Sequence, residues 1–205
     1  MSKTMTDKNK KIKEFSLKEA TPIIGLFSLI LSVLILALTM AGKLPFELYL
    51  SFKDPIKLFV SSLIAFLGLM TLGIVLTLIT PAHLIDDTNK SLHNESLFSI
   101  IIGMFIYVLF EELLYRGLIQ NFILLTLNNE WIAILATTFI FVMAHTRYFK
   151  KPIMLLNIIL PGFIFCWIYN YTNNLLVPIT IHFLTNVGMT LLFKYKLLKI
   201  RGNVS

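Results

Sequence analysis

The chain has 205 residues, of which 57% are hydrophobic and 14% charged, with a mean hydropathy of +0.80 and a net charge of +7. A composition this apolar is typical of a protein dissolved in lipid and excludes an ordinary water-soluble domain. We do not expect nucleic-acid binding, because the basic residues lie in tails and connections, where cytoplasmic loops meet anionic lipid. The single cysteine, Cys166, excludes an intramolecular disulfide and a cysteine-cluster metal site.

Six apolar stretches predict six membrane-spanning helices and therefore an all-α, polytopic membrane helix bundle. They cover residues 21–41, 57–80, 97–127, 131–145, 153–171 and 175–193. The short connections leave room for one membrane domain and no soluble module. We divide the chain into a basic tail at 1–20, two helices and a polar connection at 21–96, a four-helix core at 97–193 and a second basic tail at 194–205.

The connection between the second and third spans carries residue types that bind metals. They are His83, Asp86, Asp87 and His93. Because polar loops collect such residues anyway, we favour a solvated loop over a metal site at this position.

The distribution of basic residues predicts the orientation of the chain. Fourteen of the 18 Lys and Arg residues lie in the two tails and in the second and fourth connections. By the positive-inside rule, both termini are predicted to be cytoplasmic. The frequent Lys, Asn and Ile residues are typical of an AT-rich bacterial genome, so we expect a multi-pass protein of a bacterial cell membrane.

The third predicted span carries three ionisable side chains where hydrocarbon is expected, namely Glu111, Glu112 and Arg116. Each costs about 2.5–3.5 kcal/mol at the bilayer centre if it is ionised and unpaired. Glu112 and Arg116 are four residues apart on one helix face, so we expect them to form an ion pair. Glu111 points about 100° away from that face. A partner for Glu111 is therefore required elsewhere in the chain.

Two other predicted spans carry strongly polar residues. The fourth ends at His145, four residues after Phe141, which we interpret as a packing residue. The sixth places His182 and Asn186 four residues apart on one face. Each group alone is compatible with a structural role, as an interfacial histidine or as a hydrogen bond between helices. Three neighbouring helices with such groups, however, predict one shared polar cavity.

One carboxylate and two imidazoles are suited to two kinds of chemistry. Glu111, His145 and His182 can hold a Zn²⁺ ion that keeps an open position for a reactive water molecule. Without a metal, Glu111 can act as a general base on water while His182 and Asn186 donate hydrogen bonds to an oxyanion. The sequence leaves both open. It lacks the contiguous H-E-x-x-H motif of soluble zinc proteases.

Three motifs occur in order in the second half of the chain: E-E-x-x-x-R at residues 111–116, F-x-x-x-H at 141–145 and H-x-x-x-N at 182–186. This pattern resembles the CAAX protease and bacteriocin-processing family, or Abi family, of intramembrane endopeptidases. The resemblance covers residues 97–193. It implies a catalytic set of Glu111, Glu112, His145, His182 and Asn186, in which Glu111 activates water and the histidines and Asn186 bind metal or stabilise the oxyanion. Arg116 and Phe141 are implied in support.

The resemblance also limits the substrate, which it implies to be a membrane-associated peptide or protein. Members that cleave prenylated CAAX proteins have more spans before the first motif, so we expect maturation of a bacteriocin or peptide signal, or self-immunity, rather than prenyl-protein processing. The residues alone also leave open a non-catalytic membrane immunity or regulatory partner. They leave open a proton-coupled transporter as well, although we find no internal repeat.

Overall fold

A computed structural model describes residues 17–81, 92 and 95–198 of the chain. Its helices are α1 (Leu17–Met40), α2 (Pro55–Ile79), α3 (Leu97–Glu112), α4 (Asn121–Leu127), α5 (Glu130–Met143), α6 (Pro152–Thr172) and α7 (Leu176–Lys194). A π-helical segment, Leu113–Gln120, joins α3 to α4 without a break. No β-strand occurs among the described residues, and the predicted all-helical membrane bundle is confirmed.

Five helical stretches of the described residues are long and apolar enough to cross a membrane, which makes this a multi-pass membrane protein. They are Glu19–Met40, Pro55–Ile79, Leu97–Leu127, Pro152–Thr172 and Leu176–Lys194. The predicted fourth span is present as α5, but it is shorter than expected and ends at Met143. Its 14 residues reach about 21 Å, less than the hydrocarbon thickness of about 30 Å.

Most of both predicted basic tails, and the polar loop with its candidate ligands, fall outside the described residues. The loop positions concerned are His83, Asp86, Asp87 and His93. The first helix begins at Leu17, four residues before the predicted start.

Helix ends in this chain are specified by local sequence. Asp54, Ser96 and Asn129 cap α2, α3 and α5, and each side chain accepts a hydrogen bond from a backbone N–H three residues later. Asn128 and Asn173 adopt left-handed conformations with φ of 47°, which ends α4 and α6. These polar residues therefore fix where each span stops.

The third span lies at the centre of the bundle. It contacts α1, α5, α6 and α7, while α2 packs against α6 and α7. The span was predicted to be longer than a bilayer needs, and the structure places a π-helical segment within it. A π segment widens the helix locally, which alters the faces on which the residues after Glu112 project.

The loop between α1 and α2 covers one end of the bundle. Leu44 and Tyr49 are buried there. The Tyr49 carbonyl accepts a hydrogen bond from the Leu175 N–H at 2.7 Å, and the Ser51 N–H donates to the Asn173 carbonyl at 2.9 Å. We call this the loop end. The carboxyl ends of α2, α5 and α7 lie toward the opposite end.

Candidate active site

The two adjacent glutamates point into different surroundings. The side chain of Glu111 is 24% exposed and lines an internal cavity, whereas Glu112 is fully buried. This divergence follows from the rotation of about 100° between consecutive helical residues. Glu111 is therefore the carboxylate that is accessible to a water molecule or a substrate.

Glu112 and Arg116 form the predicted ion pair. Arg116 donates through Nη1 to Glu112 Oε1 at 3.0 Å, and both side chains are completely buried. Its Nη2 donates to the Gly162 carbonyl of α6 at 3.1 Å, and its guanidinium lies over the rings of Phe141 and Phe165. Arg116 thus joins the third span to α6 and compensates the charge of Glu112.

The His182 ring lies among three side chains, those of Glu112, Phe165 and Glu111. Its Nδ1 lies 2.7 Å from Glu112 Oε1, and its ring stacks on Phe165 with centroids 4.6 Å apart. Because a buried carboxylate paired with Arg116 accepts hydrogen bonds, Nδ1 carries a proton. The other nitrogen, Nε2, lies 3.7 Å from Glu111 Oε2. His182 therefore presents Nε2 to the exposed glutamate.

His145 reaches the same carboxylate from the other side. Its Nδ1 lies 2.7 Å from the Phe141 carbonyl, which only accepts, so this nitrogen also carries a proton. Its Nε2 lies 4.0 Å from Glu111 Oε1. Phe141 is 3% exposed and packs edge-on against Tyr115, which agrees with its predicted packing role.

His145 reaches the depth of Glu111 although residue counting from the membrane edge predicts about 10 Å of separation along the bundle. The reason is the short α5. Glu111 lies 17 residues before Asn128, and His145 lies 16 residues after Asn129, so both are equally distant from the turn between α4 and α5. The end of α5 consequently lies at the level of Glu111 along the bundle.

A cavity of about 300 Å³ connects these groups. Its walls include Glu111, His145, His182 and Asn186. Asn186 is exposed to this space and makes no hydrogen bond with the described residues, so its amide is available to a ligand. The cavity extends from this polar group toward the carboxyl ends of α2 and α7, where Thr77 and Phe193 line it.

The donor atoms at the cavity are spaced more widely than the donors of a bound zinc ion. Donor atoms bound to one tetrahedral Zn²⁺ lie about 3.4 Å apart, whereas the imidazole nitrogens lie 3.7 and 4.0 Å from the oxygens of Glu111. The described residues contain no group of three His, Cys, Asp or Glu side chains that could hold a metal ion. The same distances accommodate one water molecule hydrogen-bonded on both sides.

Several supporting residues were not predicted. Gln120 donates to the Cys166 carbonyl at 2.9 Å, one turn beyond the bond from Arg116 to Gly162. Glu112, Arg116 and Gln120 follow one another at intervals of four residues, and this spacing was a sequence signal that their side chains share one helix face. Nothing in the sequence pattern pointed to Tyr49, which lies outside the apolar spans and the three motifs.

Tyr49 comes from the loop end and binds the π segment. Its hydroxyl donates to the Gly117 carbonyl at 2.9 Å, and the Asn121 amide donates to the same carbonyl at 3.1 Å. Burial raises the pKa of Tyr49 above its ordinary value, and the hydrogen bond with Asn121 lowers it by less. The hydroxyl therefore keeps its proton and remains a donor.

The fold and the cavity together define a class: polytopic helical membrane proteins with a carboxylate and two imidazoles meeting between their helices. Residues 93–188 match the family described as type II CAAX prenyl endopeptidase Rce1-like. The matched segment is a little under half of the chain and contains all three sequence motifs. The predicted resemblance to CAAX proteases is confirmed.

The chain is also similar to the uncharacterised protein YpbD of Bacillus subtilis (strain 168). The two are 34% identical over 107 residues, which is 51% of this chain and 52% of the relative. The chain thus spans about half the length of the curated relative that it matches. No solved structure gives a significant match.

Proposed function

We propose that this protein is an intramembrane endopeptidase in which Glu111 activates the water that attacks a peptide bond. The observation that carries the proposal is the Glu111 carboxylate between two imidazole Nε2 atoms, 4.0 Å from His145 and 3.7 Å from His182, on the wall of a cavity. The match of residues 93–188 to a family of endopeptidases supports peptide hydrolysis as the reaction. Hydrolysis also needs a water site next to a base, which these distances allow.

The reaction begins with a water molecule between Glu111 and His145. Glu111 takes one of its protons, and the lone pair of His145 Nε2 accepts a hydrogen bond from the other. The resulting hydroxide attacks the carbonyl carbon and forms a tetrahedral oxyanion. Glu111 then returns the proton to the amide nitrogen, the C–N bond breaks, and an amine and a carboxylic acid leave.

The oxyanion is stabilised from α7. The Asn186 amide and the Nε2 of a doubly protonated His182 donate hydrogen bonds to it. The Glu112 carboxylate, 2.7 Å from Nδ1 of His182, stabilises the positive imidazolium. Glu112 thus acts through His182 as a positioning residue, and Arg116 holds Glu112 in place.

We propose that the reaction proceeds without a bound metal ion, because the described residues contain no group of three His, Cys, Asp or Glu side chains that could hold one. We expect cleavage to continue at an unchanged rate after the purified protein is dialysed against a chelator. Loss of cleavage in the chelator, with recovery on added Zn²⁺, would instead favour the metal-dependent reaction.

The substrate proposed is a membrane-associated peptide or protein without a prenyl group, as in maturation of a bacteriocin or peptide signal, or in self-immunity. We propose a bacterial cell membrane as the location, with both termini in the cytoplasm. The cavity then opens toward the cytoplasmic side, since it extends toward the carboxyl ends of α2 and α7.

The deciding experiment measures cleavage of a quenched fluorescent peptide library by protein reconstituted in vesicles. Glu111→Ala and His182→Ala are each expected to abolish cleavage. Glu130→Ala is the matched control, because Glu130 is an exposed glutamate whose Oε2 accepts a hydrogen bond from Asn170 away from the cavity. Its cleavage rate is expected to equal that of the wild type.

Two results would contradict the proposal. One is cleavage that survives in both cavity variants. The other is an in vivo protective or regulatory effect that persists in stably expressed Glu111→Ala and His182→Ala proteins, which would favour a non-catalytic membrane partner.

A further inference from the structure

A second, larger recess lies on the lipid-facing side of the bundle, between α2 and α6. It has a volume of about 710 Å³ and runs along α2 from Asp54 to Leu69. At about 1.5 Å per residue this is a length of about 20 Å, or two thirds of the hydrocarbon core. We call this recess the α2–α6 groove.

The groove and the catalytic cavity share one wall. Leu69, which is 2% exposed, lines both of them. It packs in one apolar cluster with Phe165, whose ring stacks on His182. Ile164, next to Phe165 in the chain, lines the groove side. The side chains of Leu69 and Phe165 therefore lie between the lipid-facing groove and the candidate catalytic groups.

The shape of the groove suits a helical peptide. A Cβ atom added at Gly68 would meet no atom within 4 Å, so the backbone of α2 is open to the groove at this point. Ser61 and Ala65 line the groove above it, on the same face of α2. Small residues on one face allow another helix backbone to approach closely, which a disordered acyl chain does not need.

The outer end of the groove is polar. The Lys57 ammonium lies 3.8 Å from the centre of the Tyr171 ring, and Tyr171 stacks on Trp167 at 5.3 Å. Asp54 lines the same end. Aromatic rings with a cation and a carboxylate are typical of the membrane interface, where the polar flank of a spanning peptide emerges.

We propose that the α2–α6 groove binds a membrane-spanning peptide substrate and holds the half of that peptide that lies toward the loop end. Leu69 and Phe165 then form the gate through which the peptide reaches Glu111. This inference rests on the proposed function. The substrate class is then a single apolar helix that unwinds near the bilayer centre, rather than a peptide that enters from water alone.

The test uses binding, so that it does not depend on cleavage. The full chain carrying Glu111→Gln and Trp131→Phe is reconstituted in vesicles, which leaves Trp167 in the groove as the only tryptophan. The probe is a Lys-flanked, 20-residue Leu-Ala peptide with a nitroxide in the half facing the loop end. We expect saturable quenching of Trp167 fluorescence that excess unlabelled peptide reverses.

A bulky side chain that fills the groove should weaken binding of the peptide probe. Gly68→Phe, which places a ring in the open space, is expected to weaken quenching at least about fivefold. Val33→Phe is the control, because Val33 is 59% exposed on α1 and does not line the groove. It should bind the probe like the parent protein.

Quenching that rises linearly with peptide, or that Gly68→Phe leaves unchanged, would overturn the proposal. Saturable quenching by a nitroxide-labelled phospholipid, but not by the peptide, would overturn it in favour of a lipid site. Failure of the proposed function would give a different result. The wild-type protein would cleave no peptide, although the Glu111→Gln protein would still bind the probe.

Discussion

Glu111 and Glu112 are adjacent in sequence, but their side chains have different surroundings and different proposed roles. The pairing of Glu112 with Arg116 could be predicted, because a spacing of four residues fixes it within one helix. The contact between Glu112 and His182 could not, because the two residues are 70 positions apart and no local pattern encodes their meeting. Sequence therefore identified the charged groups but not the chain of contacts that links them.

Removing one partner of the buried pair should destabilise the fold. Glu112→Met leaves the Arg116 guanidinium buried without its counter-ion, at a cost of about 3–5 kcal/mol. The double variant Glu112→Met, Arg116→Met should recover most of this loss, since no isolated charge remains. Thermal unfolding in mild detergent measures both. A double variant less stable than Glu112→Met alone would show that the pair itself stabilises the fold.

Asn186 should affect the chemical step and not the fold. Asn186→Ala removes one donor to the oxyanion and is expected to lower kcat by about 10²–10³-fold with little change in KM. Its folding should be unaffected, because Asn186 makes no hydrogen bond with the described residues. Asn170→Ala, outside the cavity, serves as the control. A changed KM with an unchanged kcat would assign Asn186 to substrate binding instead.

At the scale of elements, apolar stretches predicted the long helices of the described residues but not the π segment. The interruption depends on contacts from other elements: Tyr49 and Asn121 hold the Gly117 carbonyl, and Arg116 and Gln120 donate to α6. Such contacts are invisible in a stretch of apolar sequence. The π segment widens the third span between the two glutamates and the loop end.

Close packing of α5 on α6 should control the position of His145. A Cβ atom at Gly162 would lie 2.9 Å from the Phe141 ring, and that ring packs against His145. Gly162→Ala is therefore expected to shift His145 and to lower the cleavage rate about 10–100-fold. Gly25→Ala, where the nearest atom would lie 3.7 Å from the added Cβ, should leave the rate within about twofold and raise stability by up to about 1 kcal/mol. Equal rates in the two variants would contradict this.

For the whole molecule, composition and apolar runs predicted the membrane bundle, and three polar groups on three helices predicted one cavity. The depth of His145 along the bundle could not be predicted from the sequence, because it depends on where α5 ends. The α2 residues that line the catalytic cavity, and the hydrogen bond from Tyr49 to the π segment, also could not be predicted, since both lie outside the three motifs.

The orientation of the molecule is open to a labelling test. Cys166 is fully buried, so the wild-type protein should not react with a membrane-impermeant maleimide. Lys43→Cys, at the exposed loop end, should react from outside intact cells. Lys150→Cys, between α5 and α6, should react only after the cells are opened. The reverse pattern would contradict the predicted cytoplasmic termini.

The central claim is that Glu111 drives the attack of water on a peptide bond inside the bundle. The most direct measurement is mass spectrometry of the products formed from a cleaved peptide in ¹⁸O-labelled water, by wild-type protein and by Glu111→Gln in vesicles. We predict ¹⁸O in the new carboxyl group with the wild type, and a rate lower by about 10²–10⁴-fold with the variant. Equal rates of ¹⁸O incorporation by the two proteins would contradict the account.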